Sequence, residues 1–323
     1  MSGVRTIDWQ DFHITAIDQT ELPGQLVFME IYTVEDLIAA IQRLAIRGAP
    51  ALGAAGALGA AMAVRDEPAF RDRDLAALRT ARPTAVNLAW GIDRVLGRLA
   101  EGEDAVLAEA LAVLEEDAVR NRALGERGAD WLAEQVGGQV AVQTHCNAGA
   151  LACVEWGTAL GVVRSLHERG RLRHVYVDET RPLLQGARLT AWELARLGVD
   201  HTLVVDSAGP SVLARGLANA VVVGADRIAA NGDVVNKIGT YPLALAAARA
   251  GIPFLVAAPE STVDAAVATG ADVEIEVRDG AELAPPPGTA TLNLAFDVTP
   301  ADLVTAVVTE DRLVRPALGE RLS

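Results

Sequence analysis

The chain has 323 residues, 51% of them apolar, and a formal net charge of -15. This length predicts two domains, and the apolar content is sufficient for large cores. Because phosphate backbones and anionic headgroups are bound by clustered Lys and Arg, the acid excess argues against nucleic acid and membranes as partners. An anionic ligand would have to be held by a few local cations and backbone N–H groups.

The residues that usually bind metals are sparse. Two cysteines, Cys146 and Cys153, are too few for a disulfide framework, and the five histidines are scattered. We see no Cys/His cluster with zinc-ligand spacing, so the sequence predicts no metal. The amino terminus has no signal-peptide core, and no uninterrupted apolar run is long enough to span a bilayer. We therefore expect a cytoplasmic protein.

The first third of the chain is predicted to be mostly helical, after a small set of strands. Thr33, with Asp36 three residues later, predicts a capped helix with apolar residues at helical spacing. An Ala/Gly-rich helix is predicted over residues 51–64, and Pro83 suits the first turn of another helix. A long charged amphipathic segment follows over residues 103–136.

From about residue 139, β-branched runs alternate with helical stretches, which is typical of a parallel, doubly wound sheet. The runs are rich in Val and do not alternate, as in strands buried on both faces. They are Val140–Thr144, His174–Val177, Thr202–Val205, Ala220–Val223 and Pro253–Ala257. A last helix is predicted after a cap at Thr299–Asp302. We predict an α/β protein with a smaller, mostly helical domain carrying a few short strands (1–125) and a Rossmann-like parallel-sheet domain (126–323).

Two residues that follow predicted strands carry candidate chemistry, because ligands of such sheets bind outside the carboxyl ends of the strands. Cys146 precedes a predicted helix, whose dipole would favour the thiolate, although a small buried apolar side chain would also suit this position. Asp226 ends a buried strand, where desolvation favours the neutral acid and proton transfer, and a helix cap or an ion pair is the alternative. Cys153 is predicted further along the Cys146 helix, with a structural role.

Four more residues are candidates for contact with an anion. Arg47 and Arg82 each stand beside a helix break or start, where a guanidinium and backbone N–H groups can bind an anion together. Asn236 and Lys237 precede a predicted helix, and a cap followed by a solvated lysine is the alternative there. No G-x-G-x-x-G follows a predicted strand, which argues against a dinucleotide-dependent oxidoreductase.

Several stretches, in order from about residue 30 to 310, resemble motifs of the methylthioribose-1-phosphate isomerases. The stretches are Ile46–Ala51, Arg82–Leu88, Thr144–Ala152, Asp178–Pro182 with Gln185–Thr190, Val223–Asp233 with Asn236–Thr240, and Ala295–Pro300. The wider family includes regulatory subunits of translation initiation factor two-B, which share the fold and are not expected to keep the catalytic pair.

This resemblance implies a small amino-terminal domain, a Rossmann-like carboxy-terminal domain and a homodimer. It implies conversion of an aldose 1-phosphate to the ketose 1-phosphate in methionine salvage, with no nicotinamide, metal or other cofactor required. The catalytic pair falls on Cys146 and Asp226. Substrate contacts fall on Arg47, Gly48, Ala49, Arg82, Gln185, Asn236 and Lys237.

A mechanism follows from phosphate on C1, which requires the ring C1–O bond to break. Protonated Asp226 is expected to give its proton to the ring oxygen. Hydrogen then moves from C2 to C1, either as a proton through Cys146 or as a hydride while Cys146 stabilises C1. The sequence leaves both routes open.

Two stretches depart from the family pattern and leave the substrate open. Asp206–Ser211 stands where a Met-containing run is frequent, and Asn293-Leu294 stands where Asn-Pro is usual. The first lies at a strand end near the predicted site, so the group on sugar C5 is in question. The expected substrate is 5-methylthioribose 1-phosphate. The alternatives are 5-deoxyribose 1-phosphate, ribose 1,5-bisphosphate, or a non-catalytic regulatory subunit.

Overall fold

A computed structural model describes residues 5–82 and 85–322. The chain divides into two compact units. The first unit comprises Met1–Arg122 with Ala148–Gly157, and the second comprises Ala123–Asn147 with Thr158–Ser323. The predicted domain boundary after residue 125 stays a prediction, and it did not include the return of residues 148–157 to the first unit. Pro83 and Thr84, predicted at a helix start, lie outside the described residues.

The first unit contains an antiparallel sheet and a set of helices, as predicted. Thr33 Oγ1 accepts the Asp36 N–H at 3.1 Å, which confirms the predicted helix cap. The sheet has the order β1-β2-β3. The elements are β1 (Ile7–Gln10), β2 (His13–Ile17), β3 (Phe28–Ile31), α1 (Val34–Gln42), α2 (Ala49–Ala63), α3 (Pro68–Thr80) and α4 (Val86–Leu96).

Small residues allow α2 and α4 to pack with their backbones in close approach. A Cβ on Gly91 would lie 2.0 Å from the Gly53 carbonyl oxygen, and one on Gly56 would lie 2.3 Å from that of Leu88. Only glycine avoids these collisions, so the Ala/Gly-rich composition of α2 reflects tight helix packing. Glycines on both helices of this pair therefore have a packing role.

Neither α2 nor α5 (Glu103–Val136) has the character of a membrane-spanning segment. Helix α2 is apolar but has only 15 residues, whereas α5 has 34 residues and carries charged side chains throughout. Among the helices of residues 5–82 and 85–322, none combines enough length with enough apolar character to cross a bilayer.

The segment Ala148–Gly157 is anchored to the first unit by side chains that are distant in sequence. Thr6 Oγ1 donates to the Ala150 carbonyl at 2.7 Å, and Gln19 Nε2 donates to the Leu151 carbonyl at 2.7 Å. Asp117, on α5, accepts the Val154 N–H at 2.8 Å. These bonds satisfy backbone groups of a buried loop that has little regular structure.

The second unit is built on a sheet of order β14-β13-β10-β7-β4-β5-β6, in which β14 is antiparallel and all other pairs are parallel. Read from β6 to β13, this is the 3-2-1-4-5-6 order of a doubly wound dinucleotide-binding sheet, and the predicted α/β fold class is confirmed. The strands are β4 (Val140–Thr144), β5 (Leu172–Asp178), β6 (His201–Val204), β7 (Ala220–Val223), β10 (Phe254–Ala257), β13 (Ala306–Val308) and β14 (Leu313–Val314). The helices are α6 (Ala159–Glu168), α7 (Ala191–Arg196), α8 (Gly209–Ala214) and α9 (Thr240–Ala250).

A second sheet, of order β11-β8-β9-β12, was not predicted from the sequence. Its strands are β8 (Arg227–Ala229), β9 (Val234–Lys237), β11 (Val263–Asp264) and β12 (Phe296–Thr299). Strands β8 and β9 form a hairpin whose turn contains Gly232 at φ +92°. Strand β9 pairs with β12, whose residues lie about sixty positions further along the chain, a partnership that local patterns do not reveal.

Two predictions about the edges of this unit, the burial of residues 202–205 and the last helix, are wrong. Thr202–Val205 was expected to be buried on both faces, but β6 is an edge strand and Leu203 and Val205 are 46% and 53% exposed. The predicted last helix is a 3-10 turn, Ala301–Leu303, because the β-branched residues that follow form β13 beside β10.

The carboxyl of Asp117, a half-buried residue, predicts a pH-dependent stability. Burial raises its pKa to about 6, from 3.8, although N–H donors such as that of Val154 act in the opposite direction. Because the folded-state pKa is the higher one, folding is favoured when the carboxyl is protonated, and this contribution is lost as pH rises from about 4 to about 6. We expect Asp117→Asn to gain stability over wild type between pH 4.5 and 8, by on the order of 2 kcal/mol.

Urea unfolding of both proteins across that pH range measures this difference. Asp104→Asn, an exposed position at the start of the same helix, controls for the change in net charge. Parallel stability curves for Asp117→Asn and wild type would contradict the prediction.

Candidate active site

The two predicted catalytic residues follow the strands at which the strand order reverses. Strands β4 and β7 are parallel neighbours, with Val142 opposite Ala220. From β4 the chain proceeds to β5 on one side, and from β7 to β10 on the other. Cys146 lies two residues beyond β4, and Asp226 lies three residues beyond β7. Carboxyl ends of parallel strands meet at one edge, so both residues belong to the switch point at which ligands of such sheets bind.

Cys146 does not stand at a helix amino terminus, contrary to the prediction. It lies in a loop and has φ +63°, and the chain then forms a short 3-10 turn, Ala150–Ala152. Two threonine hydroxyls hold its backbone in place of helical bonds: Thr180 Oγ1 accepts the Cys146 N–H at 2.9 Å, and Thr190 Oγ1 donates to its carbonyl at 2.6 Å. A left-handed conformation is costly outside glycine and is found at functional sites held by their surroundings.

The second cysteine is not on a common helix with Cys146, as had been predicted. Cys153 follows the 3-10 turn, is fully buried, and forms no disulfide. Its environment is that of a small apolar core residue. The structural role predicted for Cys153 therefore suits its place, although the helical geometry assumed for the pair was wrong.

Both neighbours of Cys146 are anchored on buried polar groups. Asn147 Nδ2 donates to Glu193 Oε1 at 2.8 Å. The His145 ring lies between Asp178, with Nδ1 to Oδ2 at 2.9 Å, and the Ile238 carbonyl, with Nε2 to O at 2.8 Å. The loop that carries the thiol is therefore tied to neighbouring elements on each side of Cys146.

His145, Asp178 and Asp206 bring their side-chain ligand atoms within 4.8 Å of one another, a spacing compatible with a cation. These atoms already have other partners. His145 forms hydrogen bonds with Asp178 and Ile238. The Asp206 carboxylate accepts the backbone N–H groups of Thr180 and Arg181, at 2.7 Å each. The group is therefore explained by its own hydrogen bonds. A cavity of about 210 Å³ adjoins it, lined also by Ser207, Pro210, Gly239, Pro242 and Leu243.

The second sheet positions Asp226, Asn236 and Lys237. Asp226 precedes β8 and donates its N–H to the Val235 carbonyl at 3.0 Å. Asn236 and Lys237 end β9, and the Asn236 Nδ2 donates to Thr240 Oγ1 at 3.0 Å. Asn236 therefore does not act as the cap that the alternative interpretation assumed.

Lys237 is a buried cation, and the alternative prediction of a solvated lysine is wrong. The residue is only 6% exposed. Nζ donates to the Ala295 carbonyl at 2.8 Å and lies 4.7 Å from the centroid of the Phe296 ring. An ammonium group is costly to bury, and its positive charge at this position would attract an anionic ligand.

Asp297, on β12, is a polar residue of this region that the sequence did not single out by role. Its Oδ2 accepts the N–H groups of Gly239 and Tyr241, at 2.8 and 3.2 Å, at the start of α9. Burial raises the pKa of this carboxyl, against the effect of those donors and of the nearby His145 and Lys237 charges. The motif Ala295–Pro300 was the available signal, but its pairing with β9 was needed to place the carboxyl.

Gln185 presents a buried acceptor without a partner in the part of the chain that the structure describes. It is 8% exposed and precedes the π-helical turn Gly186–Thr190. Its Oε1 has no hydrogen-bond partner among residues 5–82 and 85–322. Because buried polar atoms are normally bonded, an unpartnered carbonyl oxygen suits a hydroxyl of a ligand. Gly186 fixes this position, since a Cβ there would lie 1.7 Å from the Asp178 carbonyl oxygen.

Four predicted contacts lie in the first unit. Arg47, Gly48 and Ala49 form the start of α2, where Gly48 is the N-cap and no side chain caps the first turn. The backbone N–H groups and helix dipole of such a terminus suit a phosphate. Arg82 is half-buried just after α3, and its carbonyl accepts the Ala85 N–H at 3.0 Å. The other five predicted residues, Cys146, Gln185, Asp226, Asn236 and Lys237, lie in the second unit.

Fold and site together define an α/β protein with a thiol and a carboxyl at the switch point of a doubly wound sheet. Residues 45–316 match the Initiation factor 2 subunit family. The chain belongs to this family, and the resemblance found in its motifs is confirmed.

Named relatives of the chain include sugar-phosphate isomerases. A probable bifunctional methylthioribose-1-phosphate isomerase/methylthioribulose-1-phosphate dehydratase of Nocardia farcinica is 51% identical over 324 residues. The match covers 96% of this chain and 59% of that longer relative. A 5-deoxyribose 1-phosphate isomerase of Moorella thermoacetica is 46% identical, with 99% of this chain and 97% of the relative covered.

Two crystal structures share the fold over nearly the whole chain. One is a 5-methylthioribose 1-phosphate isomerase from Pyrococcus horikoshii, 37% identical with a TM-score of 0.88, covering 97% of this chain and 92% of that one. The other is a translation initiation factor eIF-2B delta subunit from A. fulgidus, 44% identical with a TM-score of 0.85, covering 97% and 96%. Fold and identity alone therefore do not separate an isomerase from a factor subunit.

Gly48 offers a test of how the start of α2 is built. Its φ is +96°, and a Cβ would lie 2.5 Å from the Ala152 Cα and carbonyl oxygen. Gly102 has φ +100° but nothing within 4 Å of its Cβ position. We expect Gly48→Ala to lose about 3 kcal/mol or more, and Gly102→Ala about 1 kcal/mol, because only the first adds a backbone collision to the strain.

Urea unfolding of the two variants measures both losses against wild type. Equal losses would show that backbone strain alone, and not packing against Ala152, requires glycine at position 48.

Proposed function

We propose that this chain is an aldose–ketose isomerase that converts 5-methylthioribose 1-phosphate to 5-methylthioribulose 1-phosphate, in methionine salvage. The observation that carries the proposal is the placement of Cys146 and Asp226 after β4 and β7, the neighbouring strands of the switch point. A regulatory subunit has no chemical need for a thiol and a carboxyl there. The names of the isomerase relatives support the same reaction class.

The reaction needs one proton donor and a group that assists hydrogen transfer at C1. Protonated Asp226 gives its proton to the ring oxygen as the C1–O bond breaks, and phosphate stays on C1. Hydrogen leaves C2 for C1, and the C2 hydroxyl gives its proton to the Asp226 carboxylate as it becomes the ketone, which restores the acid. Cys146 acts as the base if a proton moves, or stabilises C1 if a hydride moves. The burial of Cys146, which is 9% exposed, supports the hydride route because it limits access of water.

The remaining predicted residues are proposed as binding residues. We propose the backbone at Arg47–Ala49 and the Arg82 side chain as phosphate contacts, and we propose Lys237 as a cationic substrate contact. Gln185 Oε1 takes a sugar hydroxyl, which gives this buried acceptor a partner. Asn236 contributes a further polar contact. No cofactor is assigned, and we propose that the enzyme works in the cytoplasm.

Turnover is tested by phosphorus NMR with 5-methylthioribose 1-phosphate. We expect a ketose 1-phosphate signal from wild type and none from Cys146→Ser or Asp226→Asn, because each variant keeps the side-chain size and removes the reacting group. Cys153→Ser is the matched control, since this buried cysteine lies outside the switch point, and it should retain turnover. Running the reaction in D₂O separates the routes: deuterium on C1 of the product indicates proton transfer.

Normal turnover in Cys146→Ser or Asp226→Asn would contradict the assigned roles. A second candidate substrate, 5-deoxyribose 1-phosphate, is supported by the Moorella thermoacetica relative and is assayed alongside. Conversion of that compound alone would keep the mechanism and change the substrate. No conversion of either sugar, or of ribose 1,5-bisphosphate, by folded protein would favour the regulatory-subunit alternative.

We propose in addition that two copies associate through the edge strand β6. Thr202 and Leu203 on β6, and Val205 just after it, are exposed. Among residues 5–82 and 85–322, no strand lies beside the backbone groups of β6 that face away from β5. Exposed apolar edges of this kind are normally covered. A second copy would cover them and bring the two sheets together.

Light scattering coupled to gel filtration measures the association. We expect about twice the chain mass of 33.8 kDa for wild type. Leu203→Glu should shift the protein toward the single-chain mass, whereas Leu292→Glu, at another exposed leucine, should not. A dimer that is equally stable in both variants would place the interface elsewhere.

A further inference from the structure

The His145–Asp178 pair is built into the fold more deeply than a surface ion pair. His145 is 1% exposed and Asp178 is 2% exposed. The Asp178 carboxylate also accepts from Gln143 Nε2, at 2.6 Å from Oδ1. Since the Ile238 carbonyl can only accept, His145 Nε2 carries a proton, and the carboxylate favours a second proton on Nδ1.

Glycines make room for this pair. A Cβ on Gly239 would lie 2.7 Å from His145 Cε1, and one on Gly209 would lie 2.7 Å from Gln143 Nε2 and 3.0 Å from Asp178 Oδ1. These glycines come from the start of α9 and the start of α8. Two separate elements are thus shaped to let the imidazole, amide and carboxylate pack together without water between them.

The pair connects directly to the residues assigned to the reaction. His145 precedes Cys146 in the chain, and Ile238 follows Lys237. Asp178 also accepts, through its backbone carbonyl, the Thr180 hydroxyl at 3.0 Å, and the same hydroxyl oxygen accepts the Cys146 N–H. One aspartate therefore anchors the thiol loop twice.

We propose that His145 and Asp178 are positioning residues, which hold Cys146 in its left-handed conformation and fix it relative to Lys237 at the end of β9. The imidazolium bridges the two segments, with one N–H to Asp178 and the other to Ile238. Neither residue needs to touch the substrate. The expected effect on turnover rests on the proposed function. The expected effect on the position and reactivity of the Cys146 thiol rests on geometry alone.

The charge state of His145 predicts the pH dependence. Burial disfavours the imidazolium, but the Asp178 carboxylate and the Ile238 carbonyl more than compensate and raise its pKa. The charged groups near the ring are Asp178 from β5, Asp206 after β6 and Asp297 from β12. The bridge is weakened as pH rises through the raised His145 pKa, when Nδ1 loses its proton and faces a carboxylate. Burial also raises the pKa of Asp178, so the bridge is weakened again at low pH, when that carboxyl becomes protonated.

Three variants separate the two ends of the bridge. His145→Asn places an amide where Nδ1 stood and can retain the bond to Asp178, whereas His145→Gln can retain the bond to Ile238. Asp178→Asn removes the charge. Asn219→Ala is the matched control, because Asn219 Oδ1 accepts the Ala141 N–H at 2.8 Å near the opposite end of β4.

The first readout is the rate at which iodoacetamide alkylates Cys146, followed by peptide mass spectrometry with Cys153 as internal reference. This rate should change at least about 10-fold in His145→Asn and His145→Gln and stay near wild type in Asn219→Ala. The second readout is turnover: kcat should fall by about 100-fold, the cost of misplacing a reacting group by about 1 Å. In Asp178→Asn the alkaline decline of kcat should move to lower pH.

The outcomes distinguish this proposal from the proposed function. Altered alkylation of Cys146 in a protein that converts no sugar phosphate would support positioning and refute the isomerase. Unchanged alkylation and unchanged kcat in folded His145 variants would overturn positioning while the isomerase stands. If the variants do not fold, ¹⁵N-histidine NMR of the wild type decides: we expect His145 to keep both ring N–H groups to a higher pH than a free imidazole does. Loss of one of them at or below the pH at which a free imidazole titrates would overturn the proposal.

Discussion

Strand β4 is hydrogen-bonded on both sides, to β5 and to β7, and all five of its side chains are buried. A strand in this position cannot shift without breaking two ladders and exposing apolar side chains at once. Its carboxyl end is therefore among the most rigid points available to the chain, and the loop that carries His145, Cys146 and Asn147 begins there. The placement of the thiol depends on this constraint, and so does the neighbouring position of Asp226 after β7.

Burial of polar groups is the second feature of the site. Four polar side chains of this region are nearly inaccessible to water: His145, Asp178, Lys237 and Gln185. Each of the charged ones has a hydrogen-bond partner. A dry site makes such interactions stronger, and leaves any polar atom without a partner at a high cost. Gln185 Oε1 has no partner among the described residues, and it is informative for that reason, because it is an acceptor that a ligand can use.

The family contains proteins named as isomerases and as initiation-factor subunits, with similar folds. What distinguishes the two roles must therefore be sought in side chains at the switch point and not in the sheet. In this chain the thiol, the carboxyl and the buried lysine are all present, and two threonine hydroxyls hold the thiol's backbone in a strained conformation. Strain that is retained by dedicated partners is typical of a site that performs chemistry.

The sequence by itself determined the elements whose signals are local. Buried Val-rich runs gave β4 and β7 with their bounds, Thr33 marked a helix start, and the ordered motifs marked Cys146 and Asp226. Tertiary structure decided whatever depends on distant partners. Helical bonding after Cys146 is replaced by Thr180 and Thr190, and Lys237 is buried because β9 pairs with β12. A local pattern records the preference of a segment. Only the packing of the chain decides which distant residue offers that segment a better hydrogen bond.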